Sequence, residues 1–137
     1  MPIPVFENKM KVRDYECDAQ GVVNNANYLH YFEHARHEFM EMCGIRFCNL
    51  TAEKILPVVR SANIKYKNSL RGSNEFISSL RLQRKGLRYL FRQQIRRIPD
   101  NTVCAEALIE IVCTINGKIA APETFDKAFA GYIEWID

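Results

Sequence analysis

One change of hydrophobic period constrains what this chain can fold into. From Tyr28 to Cys43 apolar residues recur every three or four positions: Tyr28, Phe32, Ala35, Phe39 and Met42, with Tyr31 and Met40 widening the stripe. That spacing predicts one amphipathic helix. Beyond Pro57 the period becomes two. Ala62, Ile64 and Tyr66 oppose Asn63, Lys65 and Lys67. Phe76, Ser78, Leu80 and Leu82 oppose Ile77, Ser79, Arg81 and Gln83. Leu87, Tyr89, Phe91 and Ile95 oppose Arg88, Arg92, Gln94 and Arg96. The last alternation runs from Val103 through Ala105, Ala107, Ile109, Ile111 and Cys113 to Ile115, with Glu106 and Glu110 on the other face. One helix with an apolar stripe and several strands with apolar faces suggest a sheet wrapped around the helix, an α+β arrangement.

The punctuation agrees with this reading. Met10 to Tyr15 alternates like a half-buried strand. Cys17 to Asn27 carries Asp18, Gly21 and Asn24, Asn25 and Asn27, which are loop and cap residues. Gly44 stands where a helix wants a left-handed terminal residue. Pro99-Asp100-Asn101 and Asn116-Gly117 are turn signals. Phe125, Phe129, Tyr132 and Ile133 have helical spacing and suggest a short C-terminal helix. The 137 residues show no repeat or linker, so a single domain over 1–137 is expected.

Composition narrows the function classes. Five cysteines, an odd number without a C-x-x-C pair, suit reduced thiols rather than a disulfide framework or a zinc ribbon. No signal peptide and no membrane span is visible, so a soluble cytoplasmic protein is expected. The net charge of +3 hides a gradient: residues 60–97 hold eleven Lys or Arg and one acid, Glu75. A basic surface of this kind attracts phosphates or an acidic partner. Glu106 and Glu110, placed across a hairpin from Arg92 and Arg96, can neutralise part of it.

The loop before the helix carries the chemistry. Asp18 lies one short loop upstream of a helix N-terminus, whose first N–H groups lack intrahelical partners and bear partial positive charge. A carboxylate facing free N–H donors suits acyl transfer: the donors stabilise an oxyanion while the carboxylate activates water or attacks. Gly21 allows close backbone approach to a ligand. On local grounds alone Asp18 can equally be a turn cap.

The residues 15–36 read Y-E-C-D-A-Q-G-V-V-N-N-A-N-Y-L-H-Y-F-E-H-A-R. Asp18, Gly21 and Val23, then Asn24, Asn25 and Tyr28, then Tyr31, Glu33, Ala35 and Arg36 resemble the signature of the 4-hydroxybenzoyl-CoA thioesterase family of hotdog proteins. The stretch Tyr66 to Gly72 continues the likeness, and V-R-D-Y-E, G-V-V-N-N-A and R-H-E-F are similar to the plant acyl-lipid thioesterases of the methylketone synthase 2 type. The resemblance implies a hotdog fold and hydrolysis of an acyl-CoA or acyl carrier protein thioester without a cofactor. It places the catalytic aspartate on Asp18 and the carbonyl-polarising backbone amide on Asn25, where many relatives have His or Tyr. It also implies a homo-oligomer, dimer or tetramer, with substrate contacts at Gly21, Val22 and Tyr28. Lys85 and Arg88, beside Gly86, are candidates for coenzyme A phosphates or an acidic carrier protein.

Three rivals are weaker. His30 to His34 spells H-x-x-E-H, but a catalytic zinc needs a third protein ligand and none is evident. Glu33, with Arg36 three residues on, reads as an ion pair rather than the catalytic acid. Tyr66, Tyr89 and Phe91 among basic residues suggest nucleic-acid stacking, yet alternation puts Tyr89 and Phe91 on the apolar face. A hotdog module that binds acyl thioesters without cleaving them is the remaining alternative.

Overall fold

The computed structural model describes residues 3–137. Strand β1 (Phe6–Lys11) leads through a 3-10 turn (Asp14–Glu16) and a loop into the long helix α1 (Asn25–Met42). A short helix α2 (Phe47–Ala52) follows, then four long strands: β2 (Ile55–Tyr66), β3 (Glu75–Lys85), β4 (Arg88–Ile98) and β5 (Thr102–Ile115). Strand β6 (Lys118–Ala120), helix α3 (Glu123–Ala128) and strand β7 (Ile133–Trp135) complete the chain. The sheet order is β1-β3-β4-β5-β2, with β6 on β5 and β7 alongside β3 in parallel. This is the α+β hotdog arrangement: an antiparallel sheet curled around one helix.

The helix forms where the period of 3.6 predicts it, but starts three residues earlier than Tyr28. Asn24 is the cap: its Oδ1 accepts from Ala26 N at 2.9 Å. The C-terminus closes as a Schellman motif. Gly44 sits at φ +89° and its N–H meets the Glu41 carbonyl at 2.9 Å, while Ile45 N meets the Met40 carbonyl at 2.9 Å. The buried face holds the expected Tyr28, Tyr31, Phe32, Ala35, Phe39 and Met40 and also takes in Arg36, whereas Met42, expected in the stripe, is exposed in the last turn.

Two strand expectations need correction. The first strand is Phe6–Lys11 rather than Met10 to Tyr15; the chain turns into a 3-10 helix because the Glu16 side chain accepts from Arg13 N at 2.8 Å. Pro57 lies within β2 rather than before it. That strand is an edge, where a residue without an N–H is tolerated. The C-terminal segment holds a short helix, as its spacing suggests, but then adds β7 on the flank of β3.

The core is aromatic. Phe39 stacks on Phe129 with ring centroids 5.5 Å apart and meets Phe6 at 5.9 Å and Tyr132 at 5.5 Å. Tyr89, Phe125 and Phe129 extend the cluster under α3. Central strand β3 is buried on both faces, Ser79 and Gln83 included, because long arginine stems cover the outer side. Phe39→Ala is expected to cost about 3–5 kcal/mol, read as a fall in the denaturation midpoint with an unchanged m-value.

Candidate active site

The loop that carries Asp18 is a closed five-residue reversal. Cys17 and Val23 form an antiparallel bridge, and Asp18 N donates to the Val22 carbonyl at 2.8 Å. Gly21 N returns to the Asp18 carbonyl at 3.0 Å, and Gly21 takes φ +79°, which favours glycine. The Asp18 side chain takes part in the turn through one oxygen. Its Oδ1 accepts from Gln20 N at 2.9 Å and Val22 N at 3.4 Å. Oδ2 has no protein donor among the described residues, and Asp18 is exposed. So Asp18 caps its turn through one carboxylate oxygen and leaves the other without a protein donor among the described residues.

Two elements strap this loop to the body. Val22 bridges to Arg71, and Val23 N donates to the Leu70 carbonyl at 2.8 Å. On the other side stands Glu16. Its carbonyl accepts from Asn24 N at 3.1 Å and from Asn27 Nδ2 at 2.7 Å. Its buried carboxylate accepts from the Tyr31 hydroxyl at 3.0 Å and from Arg13. Burial, and then the Glu16 carboxylate, push the Tyr31 phenol far above its ordinary range, so it stays a donor. Sequence reading missed Glu16 and Tyr31. The signal was present: an acid two residues before Asp18 and a tyrosine on the apolar stripe of the helix.

Asn25 is the first residue of α1, directly after the cap. Its N–H meets no acceptor among the described residues, while its carbonyl accepts from the Tyr66 hydroxyl at 3.4 Å. The Asn25 side chain is exposed. Asp18 thus lies in the loop that leads into the eighteen-residue α1, and Asn25 opens that helix with an unpaired backbone donor.

The other candidate residues divide. Gly21 and Val22 belong to the Asp18 loop. Tyr28 lies just behind it, 3 % exposed, with its hydroxyl accepting from Leu70 N at 3.2 Å. Lys85 and Arg88 are at the β3–β4 turn, at the other end of an eleven-residue strand. At ~3.3 Å per residue that is roughly 35 Å from the Asp18 end within one protomer. Lys85 is exposed, and Arg88 is held by Glu110 at 2.7 Å.

The basic stretch is substantially neutralised by cross-strand pairs, though not those expected. Glu110 holds Arg88 and Glu106 holds Lys67, whereas Arg92 bonds Gln83 and Arg96 bonds Glu7. In the β4–β5 ladder Glu106 faces Gln94 and Glu110 faces Leu90, so both lie diagonal to Arg92, as expected, but their carboxylates reach other cations. The expected Glu33–Arg36 pair is also replaced. Glu33 faces His37 at 3.8 Å, and Arg36 turns inward to Gln93 at 3.0 Å. His34 faces Glu38 at 3.8 Å, and His30 Nδ1 lies 3.3 Å from Asn27 Oδ1.

This fold has known counterparts. The chain belongs to the thioesterase-like superfamily, whose family model matches residues 12–131. It is 37 % identical over 102 residues to the chloroplastic acyl-acyl carrier protein thioesterase ATL2 of Arabidopsis thaliana, covering 74 % of this chain and 54 % of the plant protein. The chain thus spans about half the length of that relative. It is 35 % identical over 109 residues to the long-chain acyl-CoA thioesterase FadM of Escherichia coli K12, covering 79 % of this chain and 82 % of the bacterial one. Among solved structures, Slr0204 of Synechocystis, a 1,4-dihydroxy-2-naphthoyl-CoA thioesterase, superposes with a TM-score of 0.85 at 18 % identity, over 91 % of this chain and 95 % of that one. This last likeness concerns the fold.

Tyr31→Phe removes a buried donor from a buried carboxylate and little else. It is expected to cost about 1–3 kcal/mol in chemical denaturation. Amide exchange should rise in the Glu16–Asn24 segment before the sheet is affected.

Proposed function

We propose that this chain hydrolyses an acyl thioester of coenzyme A or acyl carrier protein to a free acid and a thiol. The observation that supports this reading is that the loop leading into α1 holds an Asp18 carboxylate oxygen with no protein donor, while the first N–H of the helix, that of Asn25, has no acceptor among the described residues. Membership of the thioesterase-like superfamily supports it.

In this mechanism the thioester carbonyl oxygen lies at the Asn25 N–H. Asp18 either takes a proton from water as it adds to the carbonyl carbon or adds directly. The carbon–sulfur bond then breaks and the thiolate leaves, taking up a proton. In the direct route water afterwards cleaves the Asp18 anhydride and restores the carboxylate. The negative charge that develops on the oxygen is met by the Asn25 N–H and the helix terminus behind it. A backbone donor does not depend on the side chain at position 25, so asparagine is compatible with the role. Gly21 and Val22 border the carbonyl, and Tyr28 supports the loop from behind. The substrates of the two relatives, an acyl carrier protein thioester and a long-chain acyl-CoA, bracket the substrate class. Lys85 and Arg88 remain candidates for phosphate or carrier contact, in a role that requires a second copy, because one protomer holds them far from Asp18.

The assembly is a homo-oligomer in this reading. Strand β2 is a twelve-residue edge, and Leu56, Val58, Val59 and Tyr66 stand 40–60 % exposed along it. An edge of this length and apolarity calls for a covering partner. Cysteines that are buried singly in the core, Cys104 and Cys113, fit a reducing compartment, and we assign the protein to the cytoplasm.

Asp18→Asn keeps the shape of the loop and removes the base. Thiol release from acyl-CoA and acyl carrier protein substrates is expected to fall about 100-fold or more, with binding retained. Wild-type rates in Asp18→Asn would overturn the assignment. Wild-type protein that binds these thioesters and never releases thiol would instead make the chain a binding module. Val59→Lys, on the exposed edge, is expected to lower the mass seen by light scattering to that of the protomer.

A further inference from the structure

The chain buries two guanidinium groups and treats them differently. Arg84, 6 % exposed, is paired with Asp126, donates to the Gly86 carbonyl at 3.0 Å and lies between the rings of Tyr89 and Trp135. Arg36, 5 % exposed, has one hydrogen bond, from Nη1 to Gln93 Oε1 at 3.0 Å. Gln93 is itself buried and committed, since its Nε2 donates to the Phe32 carbonyl at 3.0 Å. No carboxylate among the described residues pairs with Arg36. Burial lowers its pKa only to about 10, so it stays a cation at neutral pH. A guanidinium carries five N–H donors. All but one of these face no acceptor among the described residues.

Arg36 lines a cavity. The space, of about 280 Å³, is bounded by Arg36 with Glu33 and His37 and by Met40, Phe47, Pro57, Val59 and Ile111. That is close to the lower end of the roughly 300–1,000 Å³ typical of small-molecule sites. Glu33 and His37 pair with each other at its exposed rim, with the His37 ring 4.4 Å from that of Phe47. The cavity is thus a slot with apolar walls, the Glu33–His37 pair on one side and one buried cation, Arg36, whose charge the Glu33 carboxylate favours. An alkyl end placed there leaves the guanidinium donors unpaired, and an oxygen acceptor satisfies them.

We propose that this slot receives the far end of the substrate's acyl group, and that Arg36 selects acyl groups bearing an oxygen acceptor there, as hydroxyl, oxo or carboxylate. The inference rests on the acyl-thioesterase reading above and names its substrate class. Arg36 is a specificity-determining residue and takes no part in bond breaking. It lies eleven residues along α1 from Asn25, about 16 Å at 1.5 Å per residue, so the selected oxygen is remote from the thioester.

The test compares octanoyl-, decanoyl- and dodecanoyl-CoA with their ω-hydroxy and ω-carboxy counterparts. Wild-type protein is expected to favour an oxygenated member over its plain match by about tenfold or more in kcat/KM at the chain length that reaches the slot. The hydroxy and carboxy arms tell a neutral from an anionic oxygen. Arg36→Met is expected to bring the ratio to about one. The readout is a ratio, so partial loss of folded protein cancels; Arg36→Lys, which keeps the charge and loses the fork, should fall between. A wild-type ratio near one at every length overturns the inference. So does an Arg36→Met ratio equal to wild type, and a change of assembly mass without a change of ratio would then make Arg36 an interface strut. If wild type turns over none of these thioesters, the hydrolase reading fails instead, and the same ratio is read as Kd by calorimetry on the uncleaved ligands. Equal Kd values there overturn the slot assignment.

Discussion

The burial of one face of α1 is the constraint on which the other features depend. Phe32, Ala35 and Phe39 are fully buried, and no solvent-facing arrangement of them is stable. The sheet must therefore curl around the helix, and the helix must end where the sheet ends. The Schellman turn at Gly44 and the Asn24 cap fix those two limits. A helix held in this way cannot slide, so its N-terminus always opens at the same corner of the sheet. That corner is where β1 gives way to the Asp14–Glu16 turn and where Leu70 and Arg71 return toward β3.

Glu16 transmits that order to the site. A carboxylate in the interior is costly unless its oxygens are satisfied. Here one oxygen takes both the Arg13 N–H and the Tyr31 hydroxyl, and the other takes the Arg13 guanidinium. The same residue's carbonyl receives Asn24 and Asn27, the residues that cap and begin α1. Core packing of Tyr31 and the position of the Asp18 loop are thereby one structural unit. Asp18 itself is exposed and could not hold its loop by its own single tied oxygen.

The sequence made the gross architecture legible because periodicity reports burial directly. The stripe from Tyr28 to Met40 and the alternation from Val103 to Ile115 appear in the structure on the faces expected of them. What periodicity could not show was partnership. It put Arg36 beside Glu33 because they are neighbours in the chain, whereas the helix turns Arg36 inward to Gln93, fifty-seven residues away. It set Glu106 and Glu110 against Arg92 and Arg96, whereas their ion pairs are made with Lys67 and Arg88. The helix mouth was legible as a local pattern, and its strapping by Glu16, Leu70 and Arg71 was not, because those contacts join segments distant in sequence.

The exposure of Asp18 and Asn25 in a single protomer bears on how such a site works. A helix terminus contributes about half a unit charge. Against an anion ~4 Å away in bulk water that amounts to about 0.5 kcal/mol, too little to matter to a reaction barrier. In a water-poor environment with an effective dielectric near 20 the same geometry contributes about 2 kcal/mol, and the fixed Asn25 N–H adds a directed hydrogen bond. The electrostatic strength of this helix mouth is therefore set by what covers it. In the proposed function a bound acyl chain supplies part of that cover. The exposed edge β2 ends at Tyr66, whose hydroxyl already touches the Asn25 carbonyl, so any surface that covers that end of the edge also dries the helix mouth. In the proposed reading a partner on that edge would strengthen the helix terminus through solvent exclusion alone, without any movement of Asp18 or Asn25.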